Sequence, residues 1–434
     1  RYLFTPSRAL ISATHAAAAR MEGSAVDASA IVGQAEGPFA VSYTRRDLII
    51  YALGIGAEAR RFVDENDVAF GAFPTYPLVL PYKGTSSDVV PFPGRTLFVL
   101  PQALRGVVNT GAILHYDQSI DVLEPLDPRG AELASRSVVL GVYRRRGGVL
   151  LRTKTTLKDR SGRTLTETTQ GTFMRGLKIT GDVGPPLPPR ANPPTAPPDV
   201  VAAVTVSPQQ ALWYRLSGDY NAIHVDPEAA KAAGLERPIL HGLCSLGIAA
   251  REILLHFCPE HLSSGLVSLY CRFSKAVLPG DVLEVKMWGR AASHVCSSGG
   301  DGNDTGNDRM GSAVAGTEGP RRAAGVNGGA AIGIAEGGRS DSSSLATTCP
   351  RRGHRGLAPH RGGTGGSNPA TKAARDTKER SQQGLEEVRF EVCSPRLGGA
   401  VVVADGRAVV KREKRLGEGV LKGEVGAPRN RSRL

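Results

Sequence analysis

Apolar and polar positions alternate with recognisable period in two stretches of the chain, with a proline run between them and a long unpatterned run after them. In the first stretch, 41–183, the segment 47–60 (DLIIYALGIGAEAR) predicts a buried, glycine-containing helix. Segments 95–101, 137–144, 149–156 and 164–173 alternate or are rich in β-branched residues and predict strands. Residues 184–199 (GPPLPPRANPPTAPPD) predict a stiff linker, because proline has no N–H to give to a helix or a sheet. Pattern resumes at 200 with a strand, a polar loop and a helix over 241–257 that is apolar on more than one face. Strand-like runs follow at 265–277 and 281–289. From 291 to 385 the chain is Gly, Ser, Asp, Arg and Ala, with no aromatic residue between Trp288 and Phe390. Such a segment buries too little apolar surface to offset its ordering entropy and is expected to be disordered. Residues 386–411 predict two or three further strands that complete the second unit after this insertion. Residues 1–40 predict a loose lead-in and 412–434 a basic tail. The whole reads as α+β, two units each with a central apolar helix and several antiparallel strands.

Composition narrows the field. The chain has 434 residues and a formal charge of +13. The excess is spread along the chain without a nucleic-acid motif, so no nucleic acid is expected, and a phosphate-rich small ligand suits the charge. The six cysteines show no paired spacing, which predicts reduced thiols. No apolar run reaches the roughly 18–20 residues of a membrane span. The start at Arg1 rather than Met is expected to mark a fragment or an uncertain gene model. The first twenty residues hold Arg1, Arg8 and Arg20 and no acid, the composition of a mitochondrial presequence. The chain ends Ser432-Arg433-Leu434, a variant of the S-K-L peroxisomal address, with Arg429 and Arg431 just upstream. The peroxisome, reached through its import receptor, is the expected location, with the mitochondrion as the alternative.

Chemistry concentrates in 214–249 (YRLSGDYNAIHVDPEAAKAAGLERPILHGLCSLGIA). Asp219 and His224 lie five apart in a polar loop, and a carboxylate and an imidazole brought together can hold a water and move its protons. Asn221 offers an amide to fix the carboxylate or the water. Asp226 and Pro227 suit the N-cap and first position of a short helix. His241 and Gly242 stand at the start of the apolar helix, where backbone N–H groups lack internal partners and carry partial positive charge. A carbonyl oxygen bound at the Gly242 N–H would be polarised. Cys244 is expected to be a buried small residue, not a nucleophile. His115 in a strand-like context is not expected to be catalytic. Cys349, His354 and His360 have poor spacing for zinc, and no metal is expected.

The run S-G-D-Y-N-A-I-H-V-D-P, followed by A-x-x-A-G and R-P-I-L-H-G, resembles the hydratase 2 motif of the MaoC-like family, as in the hydratase unit of peroxisomal multifunctional enzyme type 2. The resemblance extends over 41–290 and 386–411. It implies a double hot-dog fold and the reversible hydration of trans-2-enoyl-CoA to (3R)-3-hydroxyacyl-CoA in fatty-acid β-oxidation, without a cofactor. It implies Asp219 and His224 as the catalytic pair, Asn221 and Gly242 beside them, and His241, Tyr51 and Glu65 in support. It also implies that the first unit has opened to take the acyl chain. Ala222 stands where the family usually has proline, which loosens the loop but removes no reacting group, and the interruption after Arg290 is expected to break a sheet under the site. Two rival readings stay open: a 3-hydroxyacyl-thioester dehydratase of mitochondrial fatty-acid synthesis, and a non-catalytic acyl-CoA-binding protein. A homodimer is also left open.

Overall fold

Strand pairing dominates the architecture. The computed structural model describes residues 25–94, 100–105, 108, 113–190, 192–289 and 384–411, all within one unit of the chain. Ten strands form one antiparallel sheet: β1 (Ala35–Tyr43), β2 (Ile113–Val122), β3 (Ala131–Arg145), β4 (Gly148–Lys158), β5 (Thr164–Arg175), β6 (Val200–Thr205), β7 (Leu266–Phe273), β8 (Val282–Trp288), β9 (Leu385–Ser394) and β10 (Ala400–Lys411). Their order is β1-β3-β4-β5-β2-β7-β10-β9-β8-β6. Each half therefore repeats the same order, first, third, fourth, fifth, second, and the two second strands join the halves. The α-helices among the described residues are α1 (Arg45–Gly54), α2 (Arg60–Val63), α3 (Leu80–Lys83), α4 (Gln210–Tyr214), α5 (Pro227–Ala232) and α6 (Gly242–Phe257). Two equivalent half-sheets carrying helices make the double hot-dog arrangement expected from the sequence.

The core follows from alternation along the strands and from the apolar helix α6. Leu246, Ile248, Ile253 and Leu254 of α6 pack into one cluster with Leu48 and Tyr51 of α1 and with Leu269, Val285, Phe390 and Val410 of the strands. A helix buried on most of its faces reads as apolar almost all round, and the hydrophobic effect of each such side chain is worth roughly 1.5–3 kcal/mol. A separate cluster, including Ile31, Leu104, Val142, Leu151 and Met174, sits in the first half.

Several expectations are corrected. The first-half helix is shorter than 47–60: α1 starts at Arg45 behind a Thr44–Asp47 capping box and stops at Gly54. Gly54 and Gly56 are poor helix formers, which ends it early. The lead-in is not loose to residue 40, since Val26 bridges to Ile179 and β1 begins at Ala35. Gly37-Pro38 interrupts the alternation there and shifts the register with β3, which hides the strand in the sequence. The interruption after Arg290 leaves the sheet whole, because β9 pairs directly with β8, Trp288 opposite Arg389. The expected disorder over 291–385 falls outside the described residues, except that Gly384 lies in a turn and Leu385 already begins β9. Residues 95–99 of one expected strand, the presequence-like start, the zinc-like trio and the C-terminal tripeptide also lie outside them.

The described residues of the proline-rich linker carry no helix or strand and are tied to the sheet. Tyr143 of β3 donates to the Pro185 carbonyl (2.5 Å), Arg407 of β10 to Pro189 (3.1 Å) and Trp288 of β8 to Ala196 (2.8 Å). The linker is thus tied to β3 in the first half and then to β10 and β8 in the second. Among the described residues no helix is long and apolar enough to cross a membrane.

Candidate active site

The catalytic loop is shaped by the backbone before any side chain acts. After α4 the chain makes a single 3-10 turn and reaches Gly218 at φ +130°, a left-handed conformation that favours glycine. A Cβ there would lie 2.7 Å from the Lys83 backbone nitrogen, so only glycine lets the loop pass α3. Asp219 follows at 8% exposure, and its Oδ1 accepts the Asn221 N–H at 3.2 Å. Asn221 caps the next turn by accepting from the Ile223 N–H at 3.3 Å, and that turn carries His224. Asp226 then caps α5 with Pro227 at its first position, as the sequence predicts.

His224 is oriented by one bond. Its Nδ1 lies 2.8 Å from the Ile239 carbonyl. A carbonyl only accepts, so Nδ1 carries the proton and Nε2 presents a lone pair. The His241 ring stacks on His224 at 3.6 Å between centroids, and its Nε2 donates to the Asp219 carbonyl at 3.2 Å. One oxygen of Asp219 and one ring nitrogen from each histidine lie within 4.8 Å of one another. Burial acts oppositely on the two kinds of group: it raises the Asp219 carboxyl to about 6 and lowers His224 to about 4. His241 is pushed well below its ordinary value by burial first and by His224 second. Near neutrality the site therefore holds a carboxylate beside two neutral imidazoles.

Gly242 is the first residue of the 16-residue α6, with His241 as its N-cap. The Gly242 N–H lies in the first turn, where no earlier carbonyl of the helix can receive it. A Cβ on Gly242 would sit 3.3 Å from the Phe273 ring, so glycine keeps this approach open. The helix dipole adds positive character at the same point.

Not all expected residues meet here. Tyr51 is fully buried with its hydroxyl 2.8 Å from Thr75 Oγ1, and its ring packs on Tyr214, whose own ring lies 4.9 Å from His241. Glu65 is exposed in a turn and, among the described residues, makes no hydrogen bond or ion pair with Asp219, His224 or His241. Cys244 is buried, its thiol 3.4 Å from the Gly54 carbonyl and pushed up by burial, which makes it a poor nucleophile. Sequence reasoning passed over Tyr82, which feels the Asp219 charge, and Phe273, against which Gly242 packs. Neither carries a local signal, since both are aromatic residues in apolar surroundings. The Asp219, His224 and His241 atoms are compact enough for a small cation, although Nδ1 of His224 and Nε2 of His241 are already engaged with carbonyls.

Comparison with known proteins gives the same picture. Residues 41–176 match the model of the MFE-2 hydratase 2 N-terminal domain, and residues 190–303 match the MaoC like domain. The chain is 33% identical over 270 residues to "Probable enoyl-CoA hydratase 2" of Dictyostelium discoideum, covering 61% of this chain and 87% of that protein. It is 36% identical over 263 residues to "Peroxisomal multifunctional enzyme type 2" of Drosophila melanogaster, covering 57% of this chain but 42% of that one, so it spans less than half of that longer relative. A solved MaoC-like dehydratase from Phytophthora capsici superposes with a TM-score of 0.63 at 30% identity, covering 89% of this chain and 99% of that one. With a capped loop presenting Asp219 and His224, a glycine opening the long helix, and two matched domain models, the chain belongs to the MaoC-like hydratase 2 family.

Proposed function

We propose that the chain adds water to trans-2-enoyl-CoA, giving (3R)-3-hydroxyacyl-CoA. The observation that carries this reading is the buried Asp219–His224 pair, with Nε2 of His224 free to accept, beside the open N–H of Gly242. One water held between the carboxylate and Nε2 loses a proton as its oxygen bonds to C3. The enolate that forms has its charge on the thioester oxygen, which the Gly242 N–H and the helix dipole stabilise. A proton returns to C2 from the pair, so the two hydrogens and the oxygen of water are all accounted for and no redox change occurs. Removal of one such oxyanion donor typically costs about 10²–10³ in rate. The first half of the sheet is the place for the acyl chain, and the (R) configuration comes from the hydratase 2 resemblance.

The relatives named "peroxisomal" support a peroxisomal place in fatty-acid β-oxidation. A reporter carrying the last residues of the chain is expected to enter peroxisomes, and cytosolic retention would remove that part of the reading.

The activity itself is tested by loss of the conjugated enoyl-thioester absorbance with purified protein and chiral analysis of the product. Rapid loss with an (R) product is expected. Binding without turnover would favour an acyl-CoA-binding protein. Because the water is activated by side chains alone, prior treatment with a strong chelator is expected to leave the rate unchanged; abolition, reversed by a divalent ion, would turn the Asp219, His224 and His241 cluster into a metal site.

A further inference from the structure

Apolar packing on the core-facing side of the first half-sheet is interrupted. At one end of β3 and β4, Leu133 and Leu157 join the main core; at the other, Val142 and Leu151 belong to the separate cluster. Between these ends the registers place a block of mostly hydroxyl and amide side chains on the same face, completed by Ile120 opposite Thr168 and Val139 opposite Thr153. Ser137 stands opposite Thr155, and Thr155 opposite Thr168. In the next row Thr153 stands opposite Gln170, and Gln170 opposite Gln118. A sheet face covered only by apolar neighbours is normally built from Val, Ile and Leu, because a buried hydroxyl or amide without a partner is costly.

The block is also incompletely satisfied. Ser137 and Thr155 share one good hydrogen bond (2.7 Å), and the Gln118 amide is engaged with the Ser119 carbonyl (2.9 Å) and His115 (3.1 Å), but Gln170 reaches Thr172 at only 3.4 Å and Thr168 reaches the Thr155 carbonyl at 3.5 Å. Thr166, on the same face opposite Leu157, is wholly buried and its hydroxyl has no partner. Thr155, Thr168 and Gln170 are only half-buried, so space adjoins them.

The block leads to the reacting centre. Thr172 stands opposite His115, the His115 ring meets Phe273 at 4.8 Å, and Phe273 is the ring against which Gly242 is packed. From β7 to β5 is two strand steps and to β4 three, about 4.8 Å each and so about 10–14 Å, the reach of a ten-carbon acyl tail to Gln170 and Thr153. Ser137, Thr153 and Gln118 are buried, which fits the closed end of a thioester site rather than the end where a charged nucleotide must meet water.

We propose that this strip is the floor for the acyl tail, and that the preferred substrates carry a hydrogen-bonding substituent, such as a hydroxyl, several carbons beyond the reacting double bond. The inference rests on the hydratase reading above. A site with unmet polar groups rejects a ligand that lacks the matching group more strongly than an apolar site rejects an added hydroxyl.

The test compares three probes with the full chain: the four-carbon trans-2-enoyl-CoA, which is too short to reach the strip, and two trans-2-enoyl-CoA esters of about ten carbons, one with a terminal hydroxyl and one without. The hydroxylated ester is expected to have a kcat/KM at least about tenfold above its plain counterpart. In the variant Thr153→Val with Gln170→Leu the preference is expected to reverse, each long-ester rate being taken relative to the same variant's four-carbon rate. Thr155→Val serves as an independent variant should that pair disturb folding. Equal or better use of the plain ester by the unaltered chain overturns the proposal, as does a variant that changes both long substrates alike. Failure to hydrate any of the three probes overturns the hydratase reading itself, and with it this one.

Discussion

Asp219 and His224 are both held in the form that burial favours least or most, and the consequence is measurable. Asp219 titrates near 6 when folded against 3.8 as an ordinary carboxyl. The folded chain therefore binds this proton more tightly, so stability declines as pH rises from about 4 to about 6 and the penalty is complete above that. Asp219→Asn removes the charge. It is expected to abolish turnover while raising stability at pH 8 by up to about 3 kcal/mol, read as a higher unfolding midpoint in denaturant. A midpoint that falls instead would mean the carboxylate is held by favourable contacts. His224, lowered to about 4, is already neutral through the working range. The acid limb of kcat/KM should accordingly show one apparent pKa near 6 belonging to the pair, with no second step down to pH 5. A limb centred near 7 would point to another group. Gly242→Ala puts a methyl within 3.3 Å of the Phe273 ring and narrows the approach to the oxyanion donor. Its kcat is expected to drop about 10²-fold or more with the fold retained by circular dichroism.

Among the elements, the strands carry charge as well as apolar surface. Asp117 of β2 is 2% exposed and its Oδ2 receives Arg152 Nη1 of β4 at 2.7 Å, with the Tyr270 hydroxyl at 3.4 Å. Burial is the largest influence on Asp117 and raises its pKa, while Arg152 opposes it. A buried pair of this kind adds little net stability, yet breaking it strands a charge. Arg152→Met is expected to cost about 3–5 kcal/mol, and the double change with Asp117→Leu to recover most of that loss. Additive losses in the double variant would contradict the coupling. The catalytic loop is an element of another kind, fixed by Gly218 at φ +130° and by its close pass over Lys83. This dependence on two distant segments explains why the missing proline at Ala222 does no visible harm. The loop is held by Asn221, by Asp226 and by the Ile239 carbonyl on His224.

For the whole molecule, the relevant fact is that β9 and β10 lie inside the second half-sheet, between β8 and β7. Neither is an edge strand. A chain ending at residue 289 would leave β7 and β8 without neighbours on those sides and is expected to be insoluble or unfolded. Because β8 and β9 are antiparallel neighbours with Trp288 opposite Arg389, a short turn suffices to connect them. Replacing 291–383 with a short glycine-containing turn is expected to preserve the fold and the hydratase rate; loss of both would show that the segment is required for assembly.

The sequence by itself determined the elements with strong local periodicity and the loop chemistry. The apolar run 241–257 became α6, the alternating runs became β3, β4, β5, β7 and β8, and the D-x-N-x-x-H spacing placed Asp219, Asn221 and His224 in one capped loop. These are local matters, set by side-chain period and by polar groups that bond their own backbone. Tertiary structure alone decided the rest. It assigned His241 to stack on His224 and removed Tyr51 to the core behind Tyr214. It left Glu65 exposed and brought Phe273 and His115 toward Gly242 from two different strands. Such contacts join residues far apart in the chain, and no local period encodes them. The same reason hides the polar strip: along β5 its threonines read as ordinary alternation, and only the register with β2, β3 and β4 gathers them onto one face beside the reacting centre.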